Sequence, residues 1–416
     1  MRRSPLNRLA AVPVAVLAVA LAVPAGALGS AQSGLRKSLA TVMKQAPSPS
    51  GAYVRDAESG KRLFAWKQAT PRILASNTKI FTVGTALGRH GPDGRLVTRV
   101  MIHAPLRGDG SINGNLFLVG AGDPAFGGRG YVRENYGLGG ATAEKLADNL
   151  YDAGLRDLRG TVVGDESAFD TLRSGPSEGY GPDSDVGGPL SALAFNHGLT
   201  SSGYFQSHPA AYAADRVASA LRRRGISVKN SARGGAAPDG SEELARVRSL
   251  PLARIAQLTA IPSDNYFAEL LAKEVGGGTT AGGATAIRRF AKRRGASIKL
   301  ADGSGLSRSN QAAPQEIVRF FDHEQDHAAE FDALYRALPI AGVNGTLSDR
   351  MRSGPAHHHC RAKTGTISGV STLSGFCDSR GGSRLIFSIL MNGVTSDDYA
   401  HSLQDRMAQS MAKYKG

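Results

Sequence analysis

The sequence predicts a mixed α/β fold with a domain inserted into it. Stretches of strand-like alternation form hairpin-like units near both ends of the chain, at residues 52–66 and 361–378. Apolar residues at helical spacing fill much of the sequence between them. The segment from Arg95 to about Glu243 carries strands and helices of its own. With 416 residues, 41% apolar and 20% charged, the chain is long enough to bury full cores.

Taken in order, residues 34–45 set Leu35, Leu39, Val42 and Met43 on one helical face. Residues 52–66 read as two strands around a turn at Ala57-Glu58-Ser59-Gly60. A helix starts at Ser76 and ends near Gly91-Pro92. Residues 95–122 alternate like strands, residues 120–128 form a tight loop, 141–153 a helix and 158–165 a strand. The Gly-, Pro-, Ser- and Asp-rich run 169–189 reads as an ordered loop. A helix at 209–224, a short strand at 226–228 and a linker at 232–241 complete the insertion. Beyond it, 247–250 reads as strand, and 251–260, 265–275, 282–295, 315–322 and 330–337 as helices. Strands follow at 361–366, 372–378 and 385–392, and a helix at 397–413 closes the chain.

The net charge is +15, carried mostly by arginine. Its clusters, Arg222-Arg223-Arg224, Arg288-Arg289 and Lys292-Arg293-Arg294, lie at helical spacing beside apolar residues and lack interleaved aromatics. They read as solvated helix faces rather than a nucleic-acid groove. At the N-terminus, Arg2, Arg3 and Arg8 precede an apolar run from Leu9 to Val23, then small residues around Ala27 and Ala31. This pattern predicts a signal peptide over residues 1–31, export to the periplasm or the extracellular wall space, and no membrane span after cleavage.

Three short motifs carry the chemistry. Ser76-Asn77-Thr78-Lys79 sets a hydroxyl and an amine one helical turn apart, at a helix start whose dipole favours a developing anion. Ser263-Asp264-Asn265 precedes an amphipathic run, and Lys363-Thr364-Gly365-Thr366 lies on a predicted strand. Each motif is weak alone. In this order they form the set used by penicillin-binding proteins and serine β-lactamases.

The chain resembles the class C low-molecular-mass penicillin-binding proteins, the D-alanyl-D-alanine carboxypeptidase/endopeptidase family. The matching stretches include Leu116-Phe-Leu-Val-Gly-Ala-Gly-Asp-Pro124, Ser263-Asp-Asn-Tyr-Phe-Ala-Glu-Leu-Leu271, Asp302-Gly-Ser-Gly-Leu-Ser-Arg308 and Ala362-Lys-Thr-Gly-Thr-Ile-Ser-Gly-Val370. That family carries a large insertion between its first two motifs, and here 187 residues separate Ser76 from Ser263. The resemblance implies an antiparallel sheet flanked by helices, a transpeptidase-like fold built from residues 32–94 and 248–416, with 95–247 inserted. It implies a substrate too: a peptidoglycan stem peptide ending in D-Ala-D-Ala, with β-lactams as covalent inhibitors. A serine β-lactamase and a non-catalytic peptidoglycan-binding envelope protein are the alternatives.

In that chemistry Ser76 attacks a carbonyl, and Lys79 takes its proton if burial and the neighbouring Lys363 keep it neutral. Ser263 relays a proton to the leaving amine, and Asn265 holds the substrate amide and orients Lys79. Lys363 and Thr364 grip a carboxylate, Gly365 admits the substrate backbone, and the N–H groups of Ser76 and Thr366 form an oxyanion hole. Neither metal nor organic cofactor is called for. Asp302 reads either as a water-activating base or as a turn residue in Asp302-Gly-Ser-Gly. The run His357-His358-His359 cannot direct all its rings to one ion. A hairpin turning at Ser368-Gly369 sets Cys360 opposite Cys377 and predicts a disulfide behind Lys363.

Overall fold

The computed structural model describes residues 25–416. Most of the expected signal peptide, residues 1–24, lies outside the described residues. Helix α1 (Ala25–Met43) precedes a hairpin of β1 (Gly51–Asp56) and β2 (Arg62–Trp66). Its turn is closed by Asp56, whose carboxylate accepts from the Ser59 N–H and hydroxyl at 2.8 and 2.7 Å. A two-residue strand, β3 (Arg72–Ile73), leads into a 3-10 turn at Ala75–Asn77 and then α2 (Thr78–His90). The helix expected from Ser76 therefore starts two residues later. Ala75 has a φ of 46°, so the chain enters through a tighter turn, which holds Ser76. Helix α2 is buried from Thr78 to Leu87 and is the central helix of the molecule.

The chain then builds a second unit from β4 (Val97–Ile102), β5 (Ser111–Ile112), β6 (Leu116–Val119), α3 (Arg129–Asn135), α4 (Ala143–Asp152), β7 (Asp157–Leu158) and β8 (Val162–Asp165). It continues through α5 (Pro209–Arg223), β9 (Ser227–Val228), β10 (Arg233–Gly234) and β11 (Glu242–Arg248). One sheet runs β10-β8-β6-β4-β11, and a smaller one runs β5-β7-β9. Leu118, Leu146, Leu158, Val162, Ala214 and Leu221 share a core separate from the rest. The strand expected over 158–165 is two strands in different sheets. It breaks at Gly160, where a Cβ would meet the Gly114 carbonyl oxygen at 2.1 Å, so the backbones cross in contact. The expected linker at 232–241 contributes β10, and the strand expected at 247–250 starts earlier, as β11, by pairing with β4. The short helix α3 carries a single buried residue, Val132, and so has little apolar periodicity to announce it.

The chain returns through α6 (Leu252–Ala260), α7 (Asn265–Val275) and α8 (Thr280–Arg293). The strands β12 (Ile298–Lys299) and β13 (Gln311–Ala312), the helices α9 (Pro314–Glu324) and α10 (Ala328–Ala337), the strands β14 (Cys360–Ile367), β15 (Val370–Asp378) and β16 (Arg384–Asn392), and helix α11 (Asp397–Ala412) complete it. The main sheet runs β14-β15-β16-β1-β2 and is antiparallel throughout. Its two faces follow the period of a strand. On β16, Ile386 and Leu390 join Phe81, Phe267 and Phe321 in one core. The alternate residues Leu385, Phe387, Ile389 and Met391 join Leu39 of α1 and Met407 of α11 in the other. Helices thus cover both faces, which explains why β15 and β16 are almost wholly buried. Cys360 and Cys377 are directly paired in the β14–β15 register and are joined by a disulfide.

Candidate active site

The three motifs meet where the start of α2, the start of α7 and strand β14 converge. Asn77 fixes the first of these to the third. Its side-chain amide donates to the Lys363 carbonyl at 3.0 Å and to the Thr372 hydroxyl at 2.8 Å. The Thr372 hydroxyl in turn donates to the Leu74 carbonyl at 3.0 Å. Gly365 completes the contact, since a Cβ there would lie 2.8 Å from the Ser76 nitrogen and 2.4 Å from the Thr372 hydroxyl. Ser76 is half-buried, and Thr366, next along the strand, is exposed and pairs with Ser371.

Lys79 is fully buried and donates to three acceptors: Ser76 Oγ at 3.1 Å, Asn265 Oδ1 at 2.5 Å and the Ser304 carbonyl at 2.8 Å. These use every N–H of an ammonium group. Burial pushes its pKa down to about 8, against the upward pull of Asp264, Glu269 and Asp302. Lys363 is also fully buried and donates to the Thr364 carbonyl at 2.9 Å. Burial, and then the charge of Lys79, hold its pKa well below the usual lysine range. For Lys79 burial alone does the lowering, and the repulsion expected from Lys363 is resolved only in the opposite direction, as the effect of Lys79 on Lys363. The Thr364 hydroxyl shares a hydrogen bond of 2.6 Å with that of Thr346.

Ser263 has a φ of 68°, a left-handed conformation uncommon for a residue with a side chain. It precedes Asp264, which caps α7 by accepting from the Phe267 N–H at 2.8 Å. The Ser263 hydroxyl has no hydrogen bond among the described residues, and Asn265 donates to the Asp185 carbonyl at 2.6 Å. Sequence alone singled out these motif residues but not the groups that brace them. Glu269, one turn after Asn265, accepts from the Gly303 and Ser304 N–H groups at 3.0 and 2.7 Å and so fixes the carbonyl that binds Lys79. The visible signal was a Glu four residues after Asn265 on an otherwise apolar helix face.

Asp302 is a turn residue. Its carboxylate accepts from the Gly305 N–H, the Ser307 N–H and the Asn310 amide at 2.8, 2.6 and 2.5 Å. It is fully buried, and all three donors come from its own loop, so the carboxylate is engaged in holding the turn. The rings of His357 and His358 pack on each other, and among the described residues no three metal-ligating side chains converge. Nor, among the described residues, is any helix long and apolar enough to cross a membrane.

The chain is 26% identical to a D-alanyl-D-alanine carboxypeptidase of Actinomadura sp., over all of this chain and 91% of that one. It is 30% identical to a carboxypeptidase of Mycobacterium tuberculosis, over 82% of this chain and 75% of that one. Its fold matches the crystal structure of penicillin binding protein 4 from Haemophilus influenzae with a TM-score of 0.73, at 21% identity, covering 89% of this chain and 97% of that one. The same protein complexed with a β-lactam matches with a TM-score of 0.70. A family model matches residues 35–200 and 192–414, so the chain belongs to the D-Ala-D-Ala carboxypeptidase 3 (S13) family.

Proposed function

We propose that the protein is a serine-type D-alanyl-D-alanine carboxypeptidase that acts on peptidoglycan stem peptides through an acyl-enzyme on Ser76. The observation that carries this reading is the position of Lys79, whose fully buried amine spans the half-buried Ser76 hydroxyl and Asn265 side chain. Neutral Lys79 takes the hydroxyl proton as Ser76 Oγ attacks the carbonyl between the two D-alanines. The oxyanion forms against the N–H groups of Ser76 and Thr366. Ser263 passes a proton to the amine of the departing D-Ala, and water then hydrolyses the ester.

Lys363 and Thr364 hold the terminal carboxylate. Because Lys79 and Lys363 repel each other when both are charged, a bound carboxylate that favours charged Lys363 also favours neutral Lys79. Substrate binding thereby prepares the base. The same constellation accepts the carboxylate and amide of a β-lactam, whose ester persists because Asp302 is committed to its turn. Cleavage of cross-links, where the leaving amine also sits beside a carboxylate, is a second reaction of the same geometry. In this reading residues 32–94 and 248–416 form the catalytic domain, 95–247 is an insertion, and the chain is exported. The test is release of D-Ala from a pentapeptide ending in D-Ala-D-Ala. Ser76→Ala should abolish it, and Lys363→Ala should raise KM for the peptide. Undiminished release by Ser76→Ala would overturn the assignment.

A further inference from the structure

His197 is not one of the three motifs, and nothing in the proposed reaction uses it. It comes from the segment between the first two motifs, at a 3-10 turn where both Asn196 and His197 have positive φ, 49° and 59°. Two adjacent non-glycine residues in this region are held there by their surroundings. The His197 ring packs on Tyr266, with centroids 4.3 Å apart, and lies 5.9 Å from Phe267. Its Nε2 is 3.0 Å from Asp264 Oδ2, and its Nδ1 is 3.2 Å from the Gly187 carbonyl oxygen. Both ring nitrogens therefore face acceptors. A neutral imidazole has one N–H and can satisfy only one of them, whereas an imidazolium satisfies both.

Asp264 is the middle residue of Ser263-Asp264-Asn265. One carboxylate oxygen caps α7 and the other meets His197. The two flanking residues have separate tasks: Ser263 is held in a left-handed conformation, and Asn265 binds Lys79. The charged or titratable groups facing the imidazole from the packed elements are Asp264 and Tyr266 on the α7 side. Through Asp264, Tyr131, Tyr136 and Lys79 are also affected.

We propose that His197, in its doubly protonated form, is a positioning residue that clamps Asp264 and thereby sets the geometry and charge around Lys79. The inference rests on the acylation reading above. Burial opposes the charge on His197, but the Asp264 hydrogen bond and charge outweigh it and raise its pKa above the ordinary histidine value. The clamp is thus complete at low pH and is lost as pH rises through the raised value. Asp264 is also the foremost charge favouring the ammonium form of Lys79, so a cation on His197 offsets that pull.

Two measurements on the full chain test this. The first is nitrogen-15 NMR of the histidine rings, with His197 assigned by its loss in His197→Gln. Both ring nitrogens should be protonated at pH 6.5, and a neutral tautomer there would overturn the proposal whether or not the protein is an acylating enzyme. The second is the rate of acylation by a fluorescent penicillin between pH 5 and 9, in wild type, His197→Gln, Asp264→Asn and the double variant, each checked for folding by thermal melt. His197→Gln should slow acylation about tenfold at pH 6.5, with the defect shrinking as the wild-type imidazolium titrates. The double variant should be no slower than Asp264→Asn. An equal loss at every pH, or additive losses in the double variant, would show a merely structural role and contradict the proposal. Absence of acylation in the wild type would instead strike at the enzymatic reading.

Discussion

Gly365 lies so close to Ser76 that a Cβ on it would sit 2.8 Å from the Ser76 backbone nitrogen. Real Cβ atoms do not pack that close to backbone without a shift. The same Cβ would also lie 2.4 Å from the Thr372 hydroxyl, which is itself held by hydrogen bonds to Asn77 and the Leu74 carbonyl. Gly365→Ala should therefore push the start of α2 away from β14 and misplace the Ser76 N–H group. Acylation by penicillin should fall by about 100-fold or more, with the far-ultraviolet spectrum of the fold unchanged. Normal acylation by this variant would mean that the approach of the strand to Ser76 is not needed.

Lys79 gives a pH dependence with a definite sign. It acts as a base only when neutral, and burial sets its pKa at about 8. The acylation rate should rise with pH through a midpoint near that value, since the amine loses its proton as pH increases. A non-hydrolysable carboxylate ligand at Lys363, which would exclude penicillin, should lower the pKa of Lys79 itself, read by nitrogen-15 NMR of its amine. Lys79→Ala should lose about 100- to 10,000-fold at all pH values, measured by stopped-flow with the fluorescent penicillin.

Glu269 links the site to stability. Its Oε1 has two N–H donors, but its Oε2 is buried with no partner, and burial followed by the charge of Asp302 raises its pKa to about 8. The folded value lies above the ordinary 4.5. The stability it contributes is therefore complete below about 4.5 and declines as pH rises through 8. Glu269→Gln keeps the acceptor and removes the titration. Its melting temperature should exceed that of the wild type increasingly between these limits, and a constant difference would contradict the account.

The disulfide closes a hairpin of 17 residues' separation that the sheet already pairs. Cys360→Ser with Cys377→Ser should lower stability by at most about 3 kcal/mol by chain entropy, read from denaturant unfolding. Acylation should persist, because the Lys363 backbone is also held by Asn77.

Much of this was legible in the sequence where periodicity or pairing rules are strong. Helix α7 has the predicted bounds, and the Cys360–Cys377 opposition followed from a hairpin turning at Gly369, whose φ is 73°. The break at Gly160 was not legible, because it depends on the Gly114 backbone 46 residues away in the chain. Glu269 left only a weak trace, an acid on an apolar helix face; His197 and Asn77 left none. The partners of these two, the cap of α7 for His197 and strands β14 and β15 for Asn77, are remote in sequence, and nothing local announces the contacts.

Every role proposed for the site depends on a covalent bond to Ser76. Intact-protein mass spectrometry after mixing with benzylpenicillin, followed by peptide mapping, tests it most directly. A long-lived adduct of one penicillin mass should appear on the peptide containing Ser76 and be absent in Ser76→Ala. No adduct on the folded wild type, or an adduct that survives in Ser76→Ala, would contradict it.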